Sequence, residues 1–156
     1  MDLELDFVSF KQAKDLKELR FPQETYDYLY LDGELISREE YYEMDCGGPF
    51  SVELFESERL SAPPLEFVAK WLREEKDIIL LPTPMVKWSE SEEKYYGPHY
   101  ESCYTNWNSP LLGTLKEKDK YGNFNPIEFA TYEEALSAGI DNAIETLKNK
   151  KKGNEV

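Results

Sequence analysis

Ala62-Pro63-Pro64-Leu65-Glu66-Phe67-Val68-Ala69-Lys70-Trp71-Leu72-Arg73-Glu74-Glu75-Lys76-Asp77-Ile78-Ile79-Leu80-Leu81 decides the fold class. Proline suits the first turn of a helix, where its missing N–H costs nothing. Leu65, Val68, Ala69 and Leu72 then recur at i, i+3, i+4 and i+7, the spacing of one helical face. Phe67 and Trp71 widen that face and predict a well-buried helix. Ile78 to Leu81 follows at once as a short continuous apolar run, which reads as a buried strand. Pro82 and Pro84 bound that strand, and Met85-Val86-Lys87-Trp88 resumes extended structure.

Working toward the N-terminus, Phe50 to Phe55 reads as a short strand, and Cys46-Gly47-Gly48-Pro49 as a break. Arg38 to Asp45 fits neither period. Tyr26 to Ile36 has strand formers around Asp32-Gly33, a strong two-residue hairpin signal. Ser9 and Gln12 form a capping box for a first helix with Phe10, Ala13, Leu16 and Leu19 on one stripe. Phe21-Pro22 ends it, because a residue before proline avoids the α region.

Working toward the C-terminus, Ser89 to Lys94 reads as a turn. Tyr100 to Trp107 alternates like a strand with aromatics on both faces. Asn108 to Asn125 reads as loop. Thr131-Tyr132-Glu133-Glu134 is a second capping box, opening a helix through about Lys148 with Leu136, Ile140, Ala143, Ile144 and Leu147 as its stripe. The order predicts an α+β fold: a single layered domain over 1–148, its sheet mainly antiparallel, with about three helices packed on it. Residues 149–156 form a flexible basic tail around Lys150-Lys151-Lys152.

The chain has 156 residues, enough for one domain to bury a core without metal or disulfide. Its formal net charge is -14, and 16 of the 32 acids fall within residues 1–60 against 6 bases there. That disfavours direct nucleic-acid binding and an anionic membrane surface. Mean hydropathy is -0.67, and no stretch approaches the ~20 apolar residues of a span. The acidic N-terminus does not read as a signal peptide, and two cysteines make no disulfide framework, so the expected location is the cytoplasm.

Two segments carry a resemblance: Ala62 to Glu74, with Lys70-Trp71-Leu72-Arg73-Glu74, and Thr131-Tyr132-Glu133-Glu134-Ala135 to Ile140. Together they resemble a group of small uncharacterised proteins encoded by phages and prophages of Bacteroides-type gut bacteria. The similarity covers the two helices well, Ile78 to Trp107 loosely, and residues 1–60 hardly at all. Pro64 stands where the group has a polar residue. The resemblance implies a phage accessory protein in a bacterial cytoplasm and transfers no catalytic residue.

Catalytic, cofactor and metal chemistries find little in the residues. His99 with Cys46 and Cys103 is the whole supply of soft ligands, so one chain makes neither a four-cysteine zinc site nor one of two cysteines and two histidines. His99 and Cys103 are four residues apart, which on a strand is about 13 Å, too far for a catalytic dyad. Cys46 would meet His99 only through folding. No P-loop, dinucleotide fingerprint or nucleophile elbow is present. We assign no catalytic residue, no cofactor and no metal.

The aromatic group Trp88, Tyr95, Tyr96, Tyr100, Tyr104 and Trp107 is least like a routine core. A packed sheet face is the reading its residues favour, ahead of a protein-binding face and a ligand platform. The leading functional expectation is a non-enzymatic module that contacts an unidentified protein partner. A small-ligand binder or hydrolase with an aromatic and carboxylate cleft is the alternative. The third is DNA mimicry, which would need Asp32, Glu34, Glu39, Glu40, Glu43, Asp45, Glu53, Glu56 and Glu58 on one face. Strand alternation scatters such residues instead, which predicts a generally acidic surface.

Overall fold

The computed structural model describes residues 6–23, 26–45, 59–89, 92, 94–106, 109–118, 120–121 and 123–153. The fold is α+β, with four helices among the described residues, and all the strand pairs found there are antiparallel. The chain divides into two compact units, one of residues up to Phe67 with those from Leu147 on, the other Val68–Thr146.

In the first unit, α1 (Phe10–Glu18) has the expected box: Gln12 N–H donates to Ser9 Oγ at 3.2 Å and Ser9 N–H to Gln12 Oε1 at 2.8 Å. It ends before Pro22 acts. Arg20 turns left-handed (φ 63°), Phe21 N–H reaches Leu16 C=O at 2.9 Å, and Arg20 N–H reaches Lys17 C=O at 3.1 Å. That is a Schellman ending, sealed by buried Phe21 and Leu16. β1 (Tyr28–Leu31) and β2 (Glu34–Ser37) form the expected hairpin, with φ of 50° at Asp32 and 96° at Gly33. Positive φ at both central residues is what an Asp-Gly turn provides.

The ambiguous segment is helix α2 (Arg38–Asp45). Ser37 caps it: Glu40 N–H donates to Ser37 Oγ at 3.2 Å, and Ser37 N–H donates to Glu40 Oε2 at 2.8 Å. The Ser37 N–H, and then the Ser37 hydroxyl donating to the same Glu40 Oε2 at 2.9 Å, hold the Glu40 carboxyl below the usual carboxylate range. β3 (Arg59–Ser61) pairs with β1 and completes the order β2-β1-β3. The strand expected at Phe50 to Phe55 lies outside the described residues. Lys148 closes the unit, donating to Asp15 Oδ1 and pairing with Glu18 Oε2 at 2.9 Å.

Helix α3 (Leu65–Glu75) buries Leu65, Val68 and Leu72. The wide buried face expected of it is corrected. Phe67 is exposed and Trp71 only half-buried, because they lie about 200° and 240° around the helix from Leu65.

In the second unit, β4 (Ile78–Ser89), β5 (Lys94–Asn106) and β6 (Ser109–Thr114) run in that order, and β9 (Glu128–Phe129) also pairs with β5. Before β9, β7 (Lys116–Lys118) and β8 (Phe124–Pro126) form a separate hairpin. The loop expected over Asn108 to Asn125 is thus largely strand. Ile78 is buried but Leu81 is exposed, so the expected fully buried strand is corrected as well. Nor do Pro82 and Pro84 end it: β4 runs through both.

Helix α4 (Tyr132–Gly153) buries Leu136, Ile140, Ala143 and Ile144, as expected. Glu134 N–H donates to Thr131 Oγ1 at 3.1 Å, while the Glu134 carboxylate reaches one residue further back, to Ala130 N–H at 2.9 Å. The helix continues beyond Lys148, so residues 149–153, expected as tail, are helical. Lysines there complement the negative end of the helix dipole.

Candidate interaction surface

The β4–β5 ribbon carries most of the expected aromatic group. Trp88 stands in register with Tyr95, and Lys87 with Tyr96. The side chains of Trp88, Tyr95 and Tyr96, and the whole of Trp107, lie outside the described residues. Tyr100 and Tyr104 share a strand face with Ser102. Tyr100 meets Tyr132 of α4 edge-on, at 6.2 Å between ring centroids. The Tyr104 ring lies over Gly113, its register partner on β6: a Cβ added at Gly113 would come within 2.5 Å of that ring. The pairing explains why a glycine stands inside β6.

One irregularity shapes the ribbon. Met85 pairs with His99 and Lys87 with Tyr96, so Val86 alone faces Gly97 and Pro98. The two-against-one count is a β-bulge, a position that tolerates proline because ladder bonding is already interrupted.

Pro82 and Pro84 follow a different rule. Ser102 C=O accepts from Leu115 N–H at 3.0 Å, on the side of β5 away from β4. Backbone groups of one residue point to one side in an antiparallel strand, so Ser102 and Tyr100 make no ladder bonds to β4. Their register partners are Pro82 and Pro84. Both proline nitrogens therefore face the outer edge of β4, where proline is tolerated. Among the described strands β4 is the edge of its sheet. That edge offers carbonyl acceptors and no N–H donor at either position, which blunts strand addition.

Apolar side chains remain open along the same strand: Leu81 is 42% exposed, Met85 39% and Val86 60%. Sequence reasoning missed all three. Two prolines at alternate positions of an apolar run were the available sign of an edge. Leu80 and Ser102 face Gly139 of α4, so Leu81, Thr83 and Met85 lie on the opposite face of the sheet. Glu101, His99 and Cys103 are on that face too. Cys103 is buried with its Sγ 3.6 Å from Thr114 Oγ1, and His99 Nε2 is 3.9 Å from Glu128 Oε1.

His99 and Cys103 thus stand four residues apart on one extended strand, each with its own neighbour. Cys46 lies outside the described residues. No group of three or more His, Cys, Asp and Glu side chains suited to a metal ion occurs among the described residues. No helix among them is long and apolar enough to cross a membrane. The described acids of the first part occupy separate elements: Asp32 a turn, Glu34 β2, and Glu39, Glu40, Glu43 and Asp45 helix α2. No protein-family model, no curated protein and no solved structure matches this chain.

Proposed function

We propose that this chain is a phage-type accessory protein that acts in the bacterial cytoplasm by contacting another protein, without catalysis. The observation that carries the reading is the outer strand β4. It keeps Leu81, Met85 and Val86 open to solvent while Pro82 and Pro84 remove two of the outward donors that strand addition would use. Exposed apolar side chains held on a paired strand suit recognition by side-chain packing. The bulge at Gly97-Pro98 adds twist, which further discourages edge-to-edge pairing. The neighbouring Trp88, Tyr95 and Tyr96 belong to residue types enriched at interfaces.

The test is site-specific photocross-linking in cells that produce the protein. A p-benzoylphenylalanine in place of Met85 should yield one discrete adduct, identified by mass spectrometry. The same probe in place of Lys70, on an exposed position of α3, should yield none. An absent adduct at position 85, or the same products from both positions, would sink the reading.

A further inference from the structure

We infer that β7 takes up an extended segment of a partner protein as a third strand, and that this segment carries acidic side chains at positions i and i+2. The site is separate from the face of β4 and belongs to the hairpin β7–β8. Its phase follows from one bond beside it: Ile127 N–H donates to Leu115 C=O at 3.0 Å. That makes Leu115 and Ile127 a hydrogen-bonded pair, and such pairs alternate along an antiparallel ladder. The next pairs are Lys116 with Pro126, Glu117 with Asn125 and Lys118 with Phe124. Glu117 with Asn125 is therefore hydrogen-bonded, and the N–H and C=O groups of Lys116 and Lys118 point away from β8.

The two outer edges of this ribbon differ. Pro126 puts a nitrogen without hydrogen on the outer edge of β8, as Pro82 and Pro84 do on β4. β7 holds no proline, and among the described strands only β8 pairs with it. Every residue of both strands is exposed. A two-stranded ribbon without a packed face is marginal in water, and a third strand adds the pairing it lacks. Main-chain bonds then supply the affinity, and alternate side chains select the occupant.

Charge sets the chemistry of that occupant. Lys116 and Lys118 lie on one face of the ribbon with Phe124, whose ring centroid is 6.0 Å from Lys118 Nζ, and Glu117 lies on the other. A residue added opposite each lysine shares its face, where opposite charges stabilise and like charges destabilise. A second copy of β7, paired antiparallel about Glu117, would set Lys116 against Lys118 and Glu117 against itself. Lysines on an edge oppose such self-pairing, and the same two lysines favour acids at i and i+2. The net charge of -14 opposes an acidic segment at long range, but that field is screened beyond about 8 Å at 0.15 M ionic strength, so the two lysines decide at contact.

The experiment is amide chemical-shift mapping of the full chain at 0.15 M salt with a capped peptide containing Thr-Glu-Thr-Glu-Thr, set against Thr-Lys-Thr-Lys-Thr. Titration to about 5 mM reveals even a ~1 mM interaction. The glutamate peptide should shift residues 116–118 and slow amide exchange at Lys116 and Lys118 at least about threefold, and the lysine peptide should do neither. Methylating the two glutamate nitrogens of the peptide removes the donors aimed at β7 and should weaken binding at least about fivefold. Lys116→Glu combined with Lys118→Glu should reverse the preference between the two peptides, and this variant should fold, since both side chains are exposed. Equal response to both charges, undiminished binding of the methylated peptide, shifts that spare 116–118, or no shift overturns the inference. The Met85 cross-link reads β4, so the two surfaces stand or fall separately.

Discussion

At Gly139, helix α4 meets the sheet through bare backbone. A Cβ built there would lie 2.7 Å from Ser102 Oγ and 3.4 Å from the nearest Leu80 methyl. Ser102 is 1% exposed, and its hydroxyl has no hydrogen-bond partner among the described residues. An unsatisfied buried hydroxyl costs about 1–3 kcal/mol. Ser102→Ala should therefore leave stability unchanged or raise it. Gly139→Ala alone gains up to about 1 kcal/mol of helix propensity but loses about 1–3 kcal/mol to overpacking. It should be net destabilising. In the Ser102→Ala background the obstructing oxygen is gone, and the same Gly139→Ala change should become stabilising. Denaturant unfolding of the four proteins tests this non-additivity. Additive effects would mean that the Gly139–Ser102 approach is not what sets the helix position.

At the scale of elements, the two proline rules separate what the sequence reveals from what it hides. Helices α1, α3 and α4 are legible because caps and apolar stripes are local: Ser9 with Gln12, Pro64 before Leu65, Thr131 with Glu134. Helix α2 carries the same signal in Ser37 and Glu40, but its weak apolar stripe conceals it. Pro82 and Pro84 read locally as terminators, which proline is inside a sheet. At an edge the lost N–H belongs to solvent, and edge position depends on which strands pair, a long-range fact. The same holds for β6 and β9, whose pairing with β5 no local alternation announces. The exposed face of β4 is hidden for that reason, although its partner strand β5 carries four of the six aromatics singled out in the sequence. A consequence can be tested. Pro84→Val restores an outward N–H and adds a β-branched side chain to an edge that is already apolar. The variant should self-associate with rising concentration, seen as growing mass in light scattering and thioflavin fluorescence. A monodisperse Pro84→Val protein would show that the prolines do not guard this edge.

At the scale of the whole molecule, net charge -14 works against compaction, so cations held near carboxylates matter more than their number suggests. Lys148 is the clearest case. Its hydrogen bond to Asp15, then that to Glu18, raises its pKa above the ordinary lysine value. A raised pKa means that the folded state holds the proton more tightly than the unfolded chain. The stabilisation is fully present below the ordinary lysine pKa and is lost as pH rises through the raised value. Because the groups are partly exposed, the pair is worth about 0.2–1 kcal/mol. Lys148→Gln should therefore lower Tm modestly at neutral pH, and the gap to wild type should close at strongly alkaline pH. Salt should narrow it too, since exposed charges are screened beyond about 10 Å at 0.1 M. Thermal unfolding across pH at two ionic strengths measures both trends. A gap unchanged by pH would assign Lys148 a packing role through its aliphatic stem in place of an electrostatic one.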